Sequence, residues 1–498
     1  MNIIMIKKIF YTGLVFGIVM TVSSCKKALD VNTDPNNSTQ AGVELVLPSA
    51  LGYTAYNFGS PYQILGGIWG QFWTQGPTAN QYNTYEQYII AGDVFENQWE
   101  SLYAGPLKDF KYLEEEGLSV GRENYAAIGM IMQAYIFQYM TDLHGDIPFS
   151  EALDATITAT PKFDSQEEIY DGLITLVDGG LDLIDENSSD HPGGDDILYE
   201  GDMNMWKRFA NTLKLRIYLR QAYVRPAVSE AGIKAMYAAG AQFLETGHDA
   251  DIMFTTETFN QHPLYMTNEA LSHANILASN TALEYMQGNS DPRVEIFYQR
   301  ATVAPNAGNF AGIDQGDGKN LTGTLDANMW SKPGPAVGGQ KVGGGDAPVI
   351  FMSASESYFL QSEAVARNWG SGNAQTLYEN GIKASFSYWG LSTTQANTYI
   401  SQAAITYPSA GAMEQKLDAI ITQKWVSMNG TQNVEAWTEW RRTGYPDMFT
   451  VSAASNIGNI FPVSLVYADS EISRNPNTPP QKEVTEKVWW DVNTTGQN

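Results

Sequence analysis

The sequence predicts a mostly α-helical fold, a scaffold of tetratricopeptide-like helix pairs that carries an irregular, loop-rich lobe. Three observations predict it. Apolar residues recur at helical spacing over long stretches from about residue 95 onward. Those stretches follow one another in pairs with short joints, as antiparallel helices do. Two segments, Gly52 to Gly92 and Pro292 to Pro348, break the period with Gly, Asn, Gln, Asp and aromatic residues.

The N-terminus reads as a targeting segment rather than as fold. Lys7 and Lys8 precede an apolar run from Ile9 to Val22, shorter than the roughly 20 residues a spanning helix needs. Val22-Ser23-Ser24-Cys25 follows, and Cys25 is the only cysteine. Small residues before a cysteine suit a peptidase, and the thiol can take a diacylglyceryl group, so residues 1–24 are expected to be a lipoprotein signal peptide. Two or more acyl chains would hold the protein stably at a membrane. Residues 25–44, polar and rich in Asn, Asp and Thr, read as the lipidated cysteine and its flexible tether. Residues 45–498 are then expected to form a single helical domain. Asp30-x-Asn32-x-Asp34 resembles the start of a calcium loop, but Pro35 stands where that loop needs Gly and Ala41 where it needs Glu.

The helices are expected in order. Phe95 to Glu116 ends before Gly117, and Asn124 to Leu143 closes at Gly145. Ser165 and Glu168 form a capping box for a helix running towards Asp185. Asn204 to Tyr223 and Ser229 to Leu244 follow. Ser353 to Trp369 pairs with Asn373 to Trp389, and Met413 to Met428 pairs with Val434 to Arg442. No strict 34-residue repeat is visible, so the likeness to tetratricopeptide units rests on pairing and helix length. Strands are expected to be short and few.

Composition bounds the function. There are 29 Lys and Arg against 55 Asp and Glu, a net charge of -26, and phosphate binding needs a basic surface, so no nucleic acid partner is expected. The same charge offers no attraction to anionic lipid, which leaves anchoring to the acyl chains. A single cysteine permits no disulfide within the chain, so packing alone must stabilise the fold. The 12 Trp, 27 Tyr and 20 Phe fit either stacking platforms for sugar rings or a large helical core. Composition leaves both open.

Candidate chemistry is sparse. Asp142-x-His144-x-Asp146 is the best metal or acid–base cluster on offer, but it lies at a helix exit and reads as a hydrogen-bonded turn. Arg441 and Arg442 end a Trp-bearing helix, where cations favour the dipole. No Gly-x-Ser-x-Gly elbow, His-Glu-x-x-His or Gly-Lys-Ser/Thr phosphate loop occurs. No catalytic residue, metal site or cofactor is expected.

Several segments together resemble the SusD/RagB family of outer-membrane nutrient-binding lipoproteins, in its SusD-like branch. They are Cys25 to Asn37, Thr141-Asp-Leu-His-Gly-Asp-Ile-Pro-Phe-Ser-Glu-Ala152, Tyr199-Glu-Gly-Asp202 and Trp206 to Arg216. Ser362 to Ala366, Gln423-Lys-Trp425 and Glu435 to Pro446 complete the series. His144 departs from it where an aromatic is common, and Ser464 where an arginine is usual. The resemblance implies a helical scaffold whose irregular lobe is the ligand-binding part, and binding of glycans or peptides without chemistry. It also implies a partner, a SusC-like TonB-dependent outer-membrane barrel, and an outer-membrane location facing the exterior. A peptide-binding import lipoprotein and a surface glycoside hydrolase stand as alternatives to glycan capture.

The ligand site is expected in the two irregular segments. Trp69, Trp73, Tyr82 and Tyr85 from the first and Trp330 from the second are the candidate stacking rings, with Asn80 and Gln81 as hydrogen-bonding partners for hydroxyls. Trp69 and Trp73 are four apart, a spacing that also fits two rings packed inward on one helical turn.

Overall fold

The computed structural model describes residues 41–154, 156–339 and 343–492. Cys25, the signal peptide and nearly all of the tether lie outside them. The first described helix, α1 (Val43–Phe58), opens inside the segment expected to be tether, and α2 (Pro61–Trp69) follows it at once. The sequence predicts an irregular segment here because it is rich in glycine. The glycines serve contact instead. A Cβ on Gly66 would fall 2.4 Å from the amide nitrogen of Val434, and one on Gly67 would fall 2.2 Å from the Trp73 ring. Irregular structure begins only after Trp69, with the short strand β1 (Trp73–Gln75) inside it.

The scaffold begins with a short helix, Glu96–Leu102, a π-helical turn, Tyr103–Leu107, and α3 (Lys108–Val120). Gly117 does not stop α3 as expected. It lets α3 approach α4 (Glu123–His144), where a Cβ would sit 2.9 Å from the Ala126 amide nitrogen. The stop is Gly121, at φ 76, a conformation glycine adopts without penalty. Gly145 ends α4, also at positive φ, with φ 79 and ψ -125. The strands β2 (Ile147–Pro148) and β3 (Phe163–Asp164) pair antiparallel before α5 (Gln166–Leu183). Ser165 and Glu168 make the predicted capping box of α5. Then come α6 (Met203–Arg220), capped by Asp202, and α7 (Pro226–Ala238). The latter stops six residues short of the predicted Leu244, as the chain turns through Gly240 at φ 73.

After the lobe the scaffold resumes. Ser353 caps α10 (Ala354–Ala366), Asn373 caps α11 (Ala374–Tyr388), and α12 (Thr393–Ile400) carries a capping box of its own. The last long pair is α13 (Met413–Ser427) and α14 (Asn433–Thr443). Consecutive helices α3 to α7, then α10 with α11 and α13 with α14, pack side by side as helix pairs. Helix α14 also lies against α2, which joins the end of the scaffold to its beginning. No helix among the described residues is long and apolar enough to cross a membrane.

A network of buried charges runs through the scaffold. Arg220 on α6 meets Asp142 on α4 at 3.2 Å, Glu435 on α14 at 2.6 Å, and Glu439. Arg442 pairs with Glu363 on α10 at 2.6 Å and with Glu439 at 2.7 Å. Lys424 on α13 reaches Glu356, Glu435 and Glu439 at 3.3 to 3.4 Å. These guanidinium and ammonium groups hold the Glu439 carboxyl well below its ordinary pKa, against the opposing pull of burial. The neighbouring Arg441 donates to the carbonyls of Asp142 and Val463 at 2.7 and 2.9 Å and lies 3.8 Å from the Trp437 ring centroid. Both arginines are wholly buried, so they bind helices to one another rather than an anion from solution.

Candidate ligand-binding lobe

The lobe is built from pairs of chain segments far apart in sequence. Strand β4 (Ala250–Met253) pairs with β8 (Pro348–Met352), and β1 pairs with β5 (Ile276–Ala278). Strand β6 (Tyr298–Gln299) pairs with β7 (Lys332–Pro333). Between them lie α8 (Pro263–Ala270) and α9 (Asn280–Gly288). The strands are short and every named pair is antiparallel, as a lobe of long connections stitched at a few points would have.

Glu86 holds the two predicted irregular segments together. Its carboxylate is buried and accepts from Thr74 Oγ1 at 2.7 Å, from the Gln75 amide at 2.9 Å, and from Ser452 Oγ at 3.2 Å. Gln315 Nε2, from the second segment, donates to both its oxygens at 3.1 and 3.0 Å. Burial raises the pKa of this carboxyl, and the hydrogen bonds oppose that rise without cancelling it. Nearby, Asn275 Oδ1 accepts from Gln75 Nε2 at 3.2 Å and from the Gln81 amide at 3.0 Å. Lys319 Nζ donates to the Ala79 carbonyl at 2.6 Å. A Cβ on Gly318 would fall 2.7 Å from the Gln75 carbonyl, so the turn at residues 317–320 lies directly on the first segment.

Trp330 belongs to this junction. It is half-buried and packs on a small apolar cluster of Leu277, Ile313 and Ala327, beside Ala274 and Leu321. Ala274 adjoins Asn275, which binds the chain at Gln81. Asn80 and Gln81 are exposed, as are Lys319 and Asn320. The result is an apolar cluster with a partly exposed indole; two of its members, Ala274 and Leu321, are next in sequence to the amide residues Asn275 and Asn320. Lys332, two residues beyond Trp330, donates to Asn328 Oδ1 at 2.8 Å, and burial lowers its pKa.

The other candidate rings lie elsewhere. Trp73 is fully buried and Trp69 nearly so. Trp69 crosses Trp437 edge to face at 4.9 Å between centroids, and its indole N–H donates to the Tyr85 carbonyl at 3.0 Å. Tyr82 and Tyr85 are also buried, 5.4 Å apart, and Tyr85 stacks on Phe95 at 5.7 Å. Burial pushes the Tyr82 phenol up to about 12. Trp69, Trp73, Tyr82 and Tyr85, expected as stacking rings, thus lie in the core as folded. Sequence reasoning missed Glu86, Asn275, Gln315 and Lys319. Apart from Thr74 and Gln75, which lie 12 and 11 residues from Glu86, their partners lie about two hundred residues away or more, and no local pattern announces such contacts.

The Asp142, His144, Asp146 cluster disperses. Asp142 accepts from Trp490 Nε1 at 2.7 Å as well as pairing with Arg220, whereas Asp146 accepts from the Gln166 amide at 2.7 Å. His144 packs edge-on against Trp99 at 4.9 Å, and burial drives its pKa down to about 3. Asp142 and His144 are still on α4, not in the turn expected from the sequence. No group of three or more His, Cys, Asp or Glu among the described residues could hold a metal ion.

Comparison with known proteins agrees with this architecture. A chitin-binding SusD homolog from Flavobacterium johnsoniae superposes with a TM-score of 0.77 at 24% identity, covering 91% of this chain and 99% of its own. An outer membrane protein from Bacteroides vulgatus, described as probably involved in nutrient binding, gives 0.75 at 21% identity, covering 91% and 100%. A SusD homolog from Bacteroides uniformis gives 0.73 at 22% identity, covering 90% and 99%. No curated protein matches the sequence. The sequence profile of a SusD-like family described as "Starch-binding associating with outer membrane" matches residues 35–468. With that match across most of its length, the chain belongs to the SusD-like family.

Proposed function

We propose that the protein captures a saccharide at the cell surface and delivers it to a SusC-like TonB-dependent outer-membrane barrel, without acting on it chemically. The observation that carries this reading is the Trp330 cluster: a partly exposed indole packed, like Ala274 and Leu321, on Leu277, Ile313 and Ala327, with Asn275, next to Ala274, holding the chain at Gln81 and the exposed Asn320 preceding Leu321. A flat ring accepts the C–H face of a sugar, and amides both donate to and accept from hydroxyls. Amides neither attack nor titrate, which suits holding a ligand rather than cleaving it. Family membership supports the setting, and the chitin-binding homolog of the same fold supports a saccharide as ligand. Cys25 supplies the anchor in this reading, and the barrel supplies the passage across the membrane.

The test is a glycan and peptide array on the chain starting at Lys26, followed by calorimetry with the best saccharide. Trp330→Ala is expected to weaken binding by about 1–3 kcal/mol, the loss of one stacking ring. Equal binding by parent and variant would place the ligand elsewhere, and binding of peptides alone would replace the saccharide reading. Co-purification of the detergent-solubilised lipoprotein from cells grown on that saccharide is expected to recover a barrel protein.

A further inference from the structure

We propose a second saccharide-binding face, separate from the Trp330 cluster, formed by a cleft over Trp99 and Tyr103 and by the exposed pair Tyr53 and Tyr56. It rests on the saccharide reading above and shares no residue with that site.

The cleft has a volume of about 480 Å³ and opens beside the turn at Tyr103–Leu107, the β2–β3 connection and the short helix Asp469–Arg474. That volume falls within the range of small-ligand sites, roughly 300–1,000 Å³, and accommodates a sugar of one or two rings. Trp99 and Tyr103 are 5.3 Å apart between ring centroids. Both are held in place. The Trp99 indole N–H donates to Glu471 Oε1 at 3.3 Å, and the Tyr103 hydroxyl donates to the Pro148 carbonyl at 2.6 Å. Trp99 is only 1% exposed and forms the floor of the cleft; the half-buried Tyr103 ring, fixed beside it, can stack without a further loss of side-chain freedom.

The cleft also carries Glu100, Glu471, Arg474 and Asn475. The Arg474 side chain is 78% exposed and stands 3.6 Å from Glu100, itself 48% exposed. Loosely held, both are free to turn to a ligand. Two carboxylates against one guanidinium leave an acidic surplus. An acidic saccharide is disfavoured there, and a neutral or amine-bearing one fits.

The aromatic surface continues outward. Ala104 lines the cleft, and the next residue, Gly105, has φ -103 and ψ -105. A Cβ on Gly105 would fall 2.3 Å from Tyr53 Cε1, so the Tyr53 ring packs directly on the backbone at the cleft edge. Tyr56 follows one turn along α1, with its ring 6.4 Å from that of Tyr53 and tilted by 32°. Tyr53 is 39% and Tyr56 52% exposed. Ser101 Oγ donates to Asn57 Oδ1 at 2.6 Å and ties α1 to the helix that bears Trp99 and Glu100. An oligosaccharide too long for the cleft would meet these two rings next.

The experiment uses the chain from Lys26 with four tetrasaccharide probes: cellotetraose, N-acetylated chitotetraose, its deacetylated amine form, and tetragalacturonate. Calorimetry is run on the parent, on Trp330→Ala, and on Trp330→Ala combined with Tyr53→Ala and Tyr56→Ala or with Glu471→Gln. The two tyrosines are surface residues, and the carboxamide oxygen introduced by Glu471→Gln still accepts from the Trp99 indole, so melting temperatures should stay near the parent value. The expected result is that Trp330→Ala still binds a neutral or amine-bearing probe, that removing the tyrosines weakens this binding at least tenfold, and that Glu471→Gln weakens the amine form selectively. The proposal is overturned if Trp330→Ala binds none of the four probes, if its binding survives loss of both tyrosines, or if tetragalacturonate binds it best. Parent binding lost with Trp330 alone would uphold the first site and sink the second. Binding that responds to the tyrosines but not to Trp330 would do the reverse.

Discussion

Gln315 donates its side-chain amide to both oxygens of Glu86, 229 residues earlier in the chain. Through this contact the loop before Trp330 is fastened to the loop that bears Asn80 and Gln81. Thr74 and Ser452 bond the same carboxylate, as does the Gln75 amide, so four donors from three regions depend on it. Glu86→Ala is expected to destabilise the protein by about 1–3 kcal/mol, because those donors lose their shared acceptor in a buried place. Hydrogen exchange should report it as lost protection at residues 74–86 and 313–316, with the scaffold helices unchanged.

Two tryptophans should separate stability from binding. Trp73→Ala removes a fully buried ring packed on Gly67 and should cost about 3–5 kcal/mol in chemical denaturation. Trp330→Ala truncates a partly buried ring and should change stability less while weakening saccharide binding. Similar stability losses in the two variants would count against the Trp330 cluster as a free surface.

The buried network predicts an asymmetric response. Glu439 faces Arg220, Lys424 and Arg442 at once. Glu439→Ala would leave three buried cations short of a partner and should cost about 3–5 kcal/mol, far beyond the effect of removing an exposed ion pair such as Lys234 with Glu230. Urea titration of the two variants checks the contrast.

Stability should also depend on Asp249. Its carboxylate accepts from the Ala354 amide at 2.8 Å, and burial with the neighbouring Asp251 charge raises its pKa from 3.8 to about 6. The folded state then binds the proton more tightly than the unfolded one. The associated stability is fully present below pH 3.8 and is lost as the pH rises through about 6. Asp249→Asn keeps an acceptor without the charge. It should raise the melting temperature at pH 8, and the gain should vanish at pH 4. A gain of the same size at both pH values would contradict this assignment.

Cys25 is expected to carry the anchor. Cys25→Ala should move the protein from the membrane fraction to the soluble fraction. Mass spectrometry that finds an unmodified Cys25 in membranes would exclude lipidation there.

How legible the molecule is depends on the range of the interaction. The capping box at Ser165, the stop at Gly145 and the caps Ser353 and Asn373 act within one helical turn. Their residues carry the signal themselves, although Gly117 looks like a stop where it serves close packing. Gly66 and Gly67 mislead in the same way: they look like loop residues, and what they permit is contact with Val434 and with Trp73.

From the residues alone came the helical class, most of the scaffold helices, the family resemblance and the two segments that meet in the lobe. Period, caps and turns are local, and a single chain displays them. Tertiary structure alone decided which aromatics were core and which were surface. Trp69, Trp73, Tyr82 and Tyr85 sit in a sequence as polar and glycine-rich as that around Trp330, yet α14, Phe95 and the strand pairing of β1 cover the first four and leave the last half open. Burial of a side chain is set by what packs over it; here Phe95 is near in sequence, but α14 and the β5 partner of β1 come from hundreds of residues away.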